Sequence, residues 1–211
     1  NGNPDCFAID LKTGMFKCLR ASCGVTGNMI TLSRDFDFSL GTETDEYYRP
    51  RKKYRKLPTP KEPYVPKDPA IRYLESRGVS GETAHKYEIT VQNKNENILV
   101  FPFYDDRGVL QFVKYRKTDF VKDRDKNKEW CEKGCKPILF GMKQCNEKFD
   151  RLIVTEGQLD SLSVASAGLE NAVSVPNGAQ GFTWIPYCFN WVAKFQEIVV
   201  FGDFEKGHMT L

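Results

Sequence analysis

The chain has 211 residues, a hydrophobic content of 40% and a formal net charge of +3. That length supports one or two small hydrophobic cores. The sequence has no run of about eighteen apolar residues, which is the length that a membrane-spanning helix needs. So small a charge does not by itself indicate a nucleic-acid partner. The chain has seven cysteines, an odd number, and its first residues show no secretory signal pattern. Both observations indicate reduced thiols or metal ligands in a cytosolic protein rather than a disulfide scaffold.

Residues 1–40 are punctuated by glycine and carry cysteines. CFAIDLKTGMFKC alternates apolar and polar residues on both sides of Thr13-Gly14, a pattern that predicts a β-hairpin. Cys18 and Cys23 lie on this segment as C-x₄-C, and zinc ribbons use thiolate pairs at such spacings. A structural zinc site needs four ligands, so two more would be required.

Residues 41–67 have a different composition. Five prolines between Pro50 and Pro66 exclude helix and sheet and predict an extended linker. Tyrosines are interleaved with basic residues that include Lys52, Lys53 and Arg55. Two interpretations stay open: a solvated tether stiffened by its charge, or a surface whose cations neutralise phosphates while its tyrosines stack on bases.

Globular patterning begins at residue 68. DPAIRYLESRG predicts a helix with Asp68 at the N-cap, Pro69 at the first helical position and Gly78 as the stop. ILVFPFYDDRGVLQFVKYR predicts two strands joined by an Asp-Arg-Gly turn. A polar, lysine-rich stretch then runs from Thr118 to Lys136.

From residue 149 onward, short apolar strands alternate with helical segments. In order they read RLIVTEG, QLDSLSVASAG, NAVSVPNG and EIVVFGD. This alternation predicts a parallel sheet covered on both faces. The fold class predicted for the chain is therefore α/β in several parts, with a mixed α/β subdomain between the linker and the parallel sheet.

Acids directly follow two of these strands. Glu156 follows the first, Asp160 lies one turn into the next helix, and Asp203 and Glu205 follow the last. Right-handed crossovers would bring these strand ends to one edge of the sheet. Four converging carboxylates need a positive partner, and Mg²⁺ (or Mn²⁺) is the natural candidate. Gly157 would allow a metal or phosphate to approach the backbone, while Asp160 could instead merely stabilise its own helix.

At these residues the sequence becomes familiar. IVTEGQLDSLSVASAG and VVFGDFEKG resemble the Toprim domain of bacterial-type primases, topoisomerases and some nucleases. YLESRGVSGETAHKYEI and ILVFPFYDDRGVLQFVKYR resemble the first segments of a primase RNA polymerase domain. CFAIDLKTGMFKCLRASCGVTGNMITL resembles the second half of a primase zinc ribbon. This order covers nearly the whole chain and is similar to that of bacterial and phage DNA primases, including primase-helicase fusions.

The resemblance implies a division into four parts. They are a partial zinc-ribbon-like segment at 1–40, the basic linker at 41–67, the N-terminal subdomain of an RNA polymerase domain at 68–148, and a Toprim domain at 149–211. A Toprim fold normally continues beyond EKGHMTL, and a first zinc half-site normally precedes the hairpin. The chain is therefore expected to be an internal piece of a longer primase, and one expectation is that the piece alone is inactive.

Site residues also follow from the resemblance. It implies catalysis by Glu156, Asp203 and Glu205, with Asp160 as a further Mg²⁺ ligand, and zinc binding by Cys18 and Cys23 in the complete parent. The family usually has Asp-x-Asp where this chain has Asp203-Phe204-Glu205, so one ligand is longer. The basic residues expected to meet template or nucleotide phosphates are Lys114, Arg116 and Lys117, and in the linker Lys52, Lys53 and Arg55.

The function implied is that of a DNA primase, which makes short RNA primers on a single-stranded DNA template from nucleoside triphosphates. The expected setting is the bacterial cytoplasm or an infected host cell, beside a replicative helicase that is fused or separate, and away from membranes. Two alternatives remain. One is a Toprim nuclease that uses the same acids, and the other is a primase-like module of a helicase that holds single-stranded DNA without polymerising.

Overall fold

The computed structural model describes residues 7–10, 12–20, 23–35, 53–178, 181–205 and 207–209. For residues 34, 35, 204, 205 and 209 the description is of the backbone alone. The chain forms two compact units that divide between Lys52 and Lys53. No helix in the described ranges has the length and apolar character that a membrane crossing requires.

The first unit is a three-stranded antiparallel sheet with a short helix after it. Its elements are β1 (Phe7–Ile9), β2 (Phe16–Cys18), β3 (Thr26–Gly27) and α1 (Met29–Asp35). The strands lie in the order β1-β2-β3. Gly14 has a φ of +69°, a left-handed conformation that glycine adopts without a steric penalty. The hairpin predicted around Thr13-Gly14 is confirmed.

The second unit begins with two helices and a four-stranded antiparallel sheet. The elements are α2 (Asp68–Ser76), α3 (Gly81–Lys86), β4 (Thr90–Val91), β5 (Ile98–Tyr104), β6 (Leu110–Lys117) and β7 (Glu129–Cys131), followed by a 3-10 helix at Met142–Gln144. The sheet order is β4-β5-β6-β7. The strand pair predicted on either side of the Asp-Arg-Gly turn is confirmed as β5 and β6, whereas β7 lies inside the stretch that sequence alone describes only as polar.

The helix predicted from residue 68 is also present, with its start displaced by one position. Lys67 occupies the N-cap and Asp68 is already helical. Ala70 and Leu74 are fully buried in the core, four residues apart on one face of the helix. Phe101 of β5 belongs to the same core, so α2 packs where the antiparallel sheet supplies apolar side chains.

The remainder of the second unit is built on a parallel sheet. Its elements are β8 (Arg151–Thr155), α4 (Gln158–Ser166), β9 (Ala172–Ser174), a 3-10 helix at Phe182–Trp184, α5 (Ile185–Val192), β10 (Glu197–Phe201), β11 (Phe204–Glu205) and β12 (His208–Met209). The strand order is β10-β8-β9, and both β10 and β9 run parallel to β8. The predicted parallel sheet is confirmed, with β8 at its centre. The expectation that the sheet is covered on both faces is wrong at β10, where Ile198, Val200 and Phe201 are exposed.

The described part of the linker, residues 53–67, has no helix or strand, as its prolines predict. It is nevertheless docked on the second unit. The backbone N–H of Arg55 donates to the Gly134 carbonyl at 2.7 Å, the Leu110 N–H donates to Thr59 Oγ1 at 3.0 Å, and Leu57 packs against the main core. A free, solvated tether is therefore the wrong description of this stretch, because apolar and hydrogen-bonding groups along it have found partners.

A buried carboxylate with an exposed cationic partner lies beside the docked linker. Glu88 is only 4% exposed and forms an ion pair with Lys143. Its carboxylate also accepts the Tyr104 hydroxyl at 2.8 Å and the Tyr64 backbone N–H at 3.2 Å. A buried carboxylate is tolerated when its charge and its acceptor sites are all satisfied. This pair therefore connects the linker, β5 and the 3-10 helix at Met142–Gln144.

Replacing Lys143 with Met is expected to lower the free energy of unfolding by about 3 kcal/mol, because the buried Glu88 carboxylate would lose its cationic partner. Urea unfolding measures this loss. Lys86→Met is the matched control, since Lys86 pairs with Glu170 across an exposed surface and should cost less than about 1 kcal/mol. Equal losses for the two variants would show that the Glu88 pair contributes no more than a surface pair.

Candidate active site

The parallel register brings the predicted acids to one edge of the sheet. Thr155 of β8 lies opposite Phe201 of β10, so the two strands end level with each other. Glu156 follows β8 directly, and Asp203 follows β10 after one glycine. The carboxyl ends of parallel strands form the usual ligand-binding edge of such sheets. We call Glu156, Asp160 and Asp203 the acid edge.

Charge interactions connect Asp160 to the other two acids of the acid edge. Burial raises the pKa of Asp160, and the negative charges of Asp203 and Glu156 raise it further. The Gly157 N–H and the Arg116 guanidinium oppose this rise. Since each carboxylate disfavours ionisation of its neighbours, the acid edge is a site that a cation would stabilise.

Asp160 has a second contact, at the start of α4. Its Oδ2 accepts the Gly157 backbone N–H at 2.9 Å, which satisfies one of the donors left unpaired where a helix begins. A Cβ on Gly157 would lie 2.6 Å from the same oxygen. Gly157 is therefore needed so that the Asp160 carboxylate can approach the backbone, whereas the sequence suggested that the glycine makes room for a metal or phosphate.

Within the described ranges, no group of three or more Asp, Glu, His or Cys residues is arranged to enclose a metal ion. Mg²⁺ usually binds one or two carboxylates and completes its shell with waters and substrate phosphates. The donors are all carboxylate oxygens, the type that hard cations prefer. Glu205 lies on β11, but its side chain is outside the description.

A small basic pocket of about 130 Å³ lies next to the acid edge. It is lined by Lys114 and Arg116 of β6, by Arg77 after α2, and by Gly157 and Asp160. Lys114 and Arg116 are two positions apart on a strand, so both project from the same face. Arg77 is exposed and has no ion pair among the described residues. Arg77 is not among the basic residues that the sequence predicts for the site, although it lies at the end of α2, in a segment that resembles the first part of a primase RNA polymerase domain.

Glu129 holds the two strand cations of the basic pocket in place. It lies on β7 opposite Arg116, pairs with Arg116, and accepts from Lys114 Nζ at 2.8 Å. Burial would raise its pKa, but the hydrogen bonds and charges of Lys114 and Arg116 lower it overall. Glu129 is thus a site residue that the sequence analysis missed, because it lies in the poorly patterned lysine-rich stretch.

The lowered pKa of Glu129 predicts a pH dependence of stability. A carboxylate whose folded-state pKa is depressed stabilises the fold above its unfolded pKa of about 4.3, and this contribution is lost as the pH falls through the folded pKa. At pH 7, Glu129→Gln should lower the free energy of unfolding by about 1–2 kcal/mol. The difference from wild type should shrink as the pH falls below about 4. Urea unfolding across this range measures it, and a difference independent of pH would contradict the assignment.

The other predicted basic residues that the structure describes do not line the basic pocket. Lys117 donates to Asp125 at 2.7 Å and does not line the pocket. Arg55 pairs with Glu132 at 2.8 Å, and Lys53 is exposed at the start of the docked linker. Lys52 lies outside the described residues. Their nucleic-acid contacts stay predictions.

Cys18 and Cys23 come together in the first unit. Hydrogen bonds from the Val25 N–H and from the Cys18 thiol lower the pKa of Cys23. A lowered pKa favours the thiolate, which is the form that binds metals. In the part of the chain that the structure describes, no further ligands join them into a closed site, and Cys6 is outside that part.

Comparisons with known proteins place this geometry in context. No family model matches the chain. A primase homolog protein of Arabidopsis thaliana is 28% identical, with 62% of this chain and 41% of the relative covered. A chloroplastic/mitochondrial Twinkle homolog protein of the same plant is 27% identical, with 82% and 22% covered. The chain thus spans less than half the length of either relative.

Solved structures give the same fold. The zinc-binding and RNA polymerase domains of the Aquifex aeolicus primase superpose with a TM-score of 0.50 at 19% identity, covering 96% of this chain and 64% of that one. The primase fragment of the bacteriophage T7 primase-helicase protein gives a TM-score of 0.52 at 18% identity, covering 93% and 74%.

The chain has the primase fold. The E. coli primase catalytic core also superposes, with a TM-score of 0.52 at 18% identity, over 65% of this chain and 56% of that one. The resemblance to bacterial and phage primases that the motifs carry is confirmed, and so is the mixed α/β fold class. In this primase fold, the acid edge and the basic pocket both belong to the second unit.

Proposed function

We propose that the chain carries the nucleotidyl-transfer site of a DNA primase, which synthesises short RNA primers on single-stranded DNA. The observation that carries this proposal is the level ending of β8 and β10, which places Glu156 and Asp203 on one edge of the sheet. The basic pocket beside them supplies the positive charge that a polyphosphate needs. The primase fold and the named relatives support the same reaction.

Glu156 and Asp203 would hold a Mg²⁺ or Mn²⁺ ion, with Asp160 and Glu205 as further candidate ligands. When bound, such an ion supplies Lewis-acid activation of a ribose hydroxyl and neutralises charge on the departing pyrophosphate. Glu156 would also hold or move a proton, a role that its resemblance to the Toprim glutamate implies. The remaining work of the site is to position two substrates.

Positioning falls to the basic pocket. Arg77, Lys114 and Arg116 present cations beside the acid edge and would bind triphosphate oxygens or the template backbone. Arginine suits this role because its planar fork binds two phosphate oxygens at once. Glu129 keeps Lys114 and Arg116 fixed while no phosphate is bound, so the cations need little reorganisation when the substrate arrives.

Other parts of the chain have proposed supporting roles. Cys18 and Cys23 would provide two thiolates of a zinc site. Structural zinc sites have four ligands, so two further ligands would be required. Lys52, Lys53, Arg55 and Lys117 would add phosphate contacts around the site. The four-part division at residues 40, 67 and 148 stays the proposed organisation, with a bacterial cytoplasm or an infected host cell as the proposed compartment.

A helicase partner, fused or separate, is proposed on the basis of the phage relative, whose name describes a primase-helicase protein.

Incorporation of labelled ribonucleotides on single-stranded DNA tests the function. The expected result is short RNA that requires template, all needed ribonucleoside triphosphates and a divalent cation. Reactions without template, and reactions with chelator, are the controls. Metal-dependent cutting of the DNA without any RNA product would instead indicate a nuclease. Tight binding of single strands without synthesis would indicate a primase-like binding module.

A further inference from the structure

A stacked aromatic pair lies on the face of the antiparallel sheet opposite the basic pocket. Tyr115 of β6 and Trp130 of β7 are cross-strand partners, with ring centroids 5.6 Å apart and planes inclined by 23°. Lys114 and Arg116 flank Tyr115 along β6 and therefore project from the other face. The stacking pair, Tyr115 and Trp130, is thus separate from the site described above.

The stacking pair is held in a fixed orientation. The Tyr115 hydroxyl donates to Glu132 Oε1 at 3.1 Å, while the other oxygen of Glu132 accepts from Arg55 at 2.8 Å. Tyr115 also packs against the small cluster of Tyr104, Leu110 and Val113. Burial and the charge of Glu132 raise the pKa of Tyr115 to about 12, so its ring stays neutral at physiological pH. An aromatic surface fixed in this way loses little entropy when a planar ligand stacks on it.

Trp130 lies at the open side of this pair. β7 is the edge strand of its sheet among the described residues, and Trp130 is half-buried rather than enclosed in a core. One face of its indole is occupied by Tyr115. By contrast, Trp191 is 5% exposed inside the main core, and Trp184 packs against that core.

The stretch that contains Trp130 is rich in lysines without ion pairs, which favours an anionic ligand. In the described stretch from Lys117 to Lys136, four lysines form neither an ion pair nor a ring contact, and they are Lys122, Lys126, Lys128 and Lys133. Asp123 is the one acid there without an ion pair. The carbonyl of Lys128 accepts the Lys117 N–H at 3.0 Å, so the backbone pairing extends to Lys128, which lies two positions before Trp130 and on the same face of the sheet. An aromatic platform beside unpaired lysines is the combination that binds single-stranded nucleic acid.

We propose that Trp130, backed by Tyr115, stacks on one base of a single-stranded nucleic acid whose phosphates contact Lys128. This site lies outside the acid edge, and it rests on the proposed function only for the identity of the ligand. It would hold a strand that has passed over the β7 edge from the basic pocket. Stacking accepts any base, because every base presents a π-face.

Titration of the chain with a short oligothymidylate, in chelator so that no synthesis occurs, tests the platform. Binding should quench tryptophan emission, and the quenching should disappear in Trp130→Leu, because Trp191 lies in the core and Trp184 packs against it. Trp130→Leu should bind about tenfold more weakly, with an unchanged salt dependence. Lys128→Ala should instead reduce the slope of log affinity against log salt by about 0.7. Trp130→Phe keeps an aromatic ring and should bind more tightly than Trp130→Leu.

Phe189→Leu is the matched control, since Phe189 is an aromatic residue on α5 that is 62% exposed. The proposal is overturned if Trp130→Leu binds the oligonucleotide as tightly as wild type, or if Phe189→Leu weakens binding equally. A second measurement needs no variant: a strand that contains iodouracil should photo-crosslink to the peptide that holds Trp130. If the binding test fails while primer synthesis is observed, only the stacking proposal is rejected. If stacking is observed without primer synthesis, only the proposed function is rejected.

Discussion

Glu156→Gln and Asp203→Asn are each expected to lower primer synthesis at least about 100-fold, because even residues that only support metal ligands cost about 10–100-fold when changed. Both substitutions keep the size of the side chain and remove its negative charge. The parallel register that joins β8 to β10 is set by backbone pairing from Arg151 to Thr155, so the fold should survive. Initial rates of ribonucleotide incorporation at saturating template measure the effect.

Asp123→Asn is the matched control for these two variants. Asp123 is exposed and has no ion pair in the described part of the chain, so its neutralisation should leave synthesis unchanged. Raising the metal concentration should partly restore the weaker of the two acid variants, because lost affinity is recovered by mass action. Synthesis at the wild-type rate by both acid variants would remove the acid edge from the mechanism.

Gly157→Ala is expected to reduce synthesis by about 10–100-fold, because a displacement of about 1 Å in a site can cost 100-fold. The added methyl would lie 2.6 Å from the Asp160 carboxylate, which therefore has to move. The same substitution weakens the hydrogen bond at the start of α4, at a cost of about 1 kcal/mol in stability. Incorporation rates and urea unfolding separate the two effects.

Gly81→Ala is the control for this change. Gly81 begins α3, and a Cβ there would make ordinary contacts at 3.5 Å, so activity and stability should hold. If Gly157→Ala also leaves the synthesis rate intact, the position of Asp160 has no bearing on the reaction, and its role is confined to its helix.

The features that the sequence predicts best are those with a strict backbone period. RLIVT and EIVVF are short apolar runs with acids behind them, and parallel pairing necessarily brings the ends of such runs to one edge. The sheet and the placement of Glu156 and Asp203 follow directly. The hairpin at Gly14 is predicted for a similar reason, because its turn needs a residue that tolerates a positive φ.

The features that the sequence misses depend on contacts between distant segments. β7 has three residues, Glu129 to Cys131, and no apolar alternation marks it within a lysine-rich stretch. Its pairing with β6 creates both the Glu129 clamp and the stacking of Trp130 on Tyr115. Local patterning carries no signal for such pairings, because a partner strand more than ten residues away decides them.

The docking of the linker is hard to predict for a related reason. Its prolines exclude regular structure, and its charges suggest solvation, yet Leu57 reaches the main core and Tyr54 bonds to the Tyr187 hydroxyl at 2.9 Å. Composition describes the average behaviour of a segment, whereas one apolar and one aromatic side chain are enough to dock it. Arg77 was missed likewise, because only the folded arrangement brings it to the basic pocket.

The central claim is that the ends of β8 and β10 form one metal-dependent site, and localised cleavage tests it most directly. Fe²⁺ is bound in place of Mg²⁺, and ascorbate with peroxide generates radicals that cut the backbone near the ion. Cuts are expected at 155–160 and at 202–205. Added Mg²⁺ should suppress both by competing with Fe²⁺, and both should be lost in Asp203→Asn. Cleavage at only one of the two ends, or equal cleavage in Asp203→Asn, would contradict the claim.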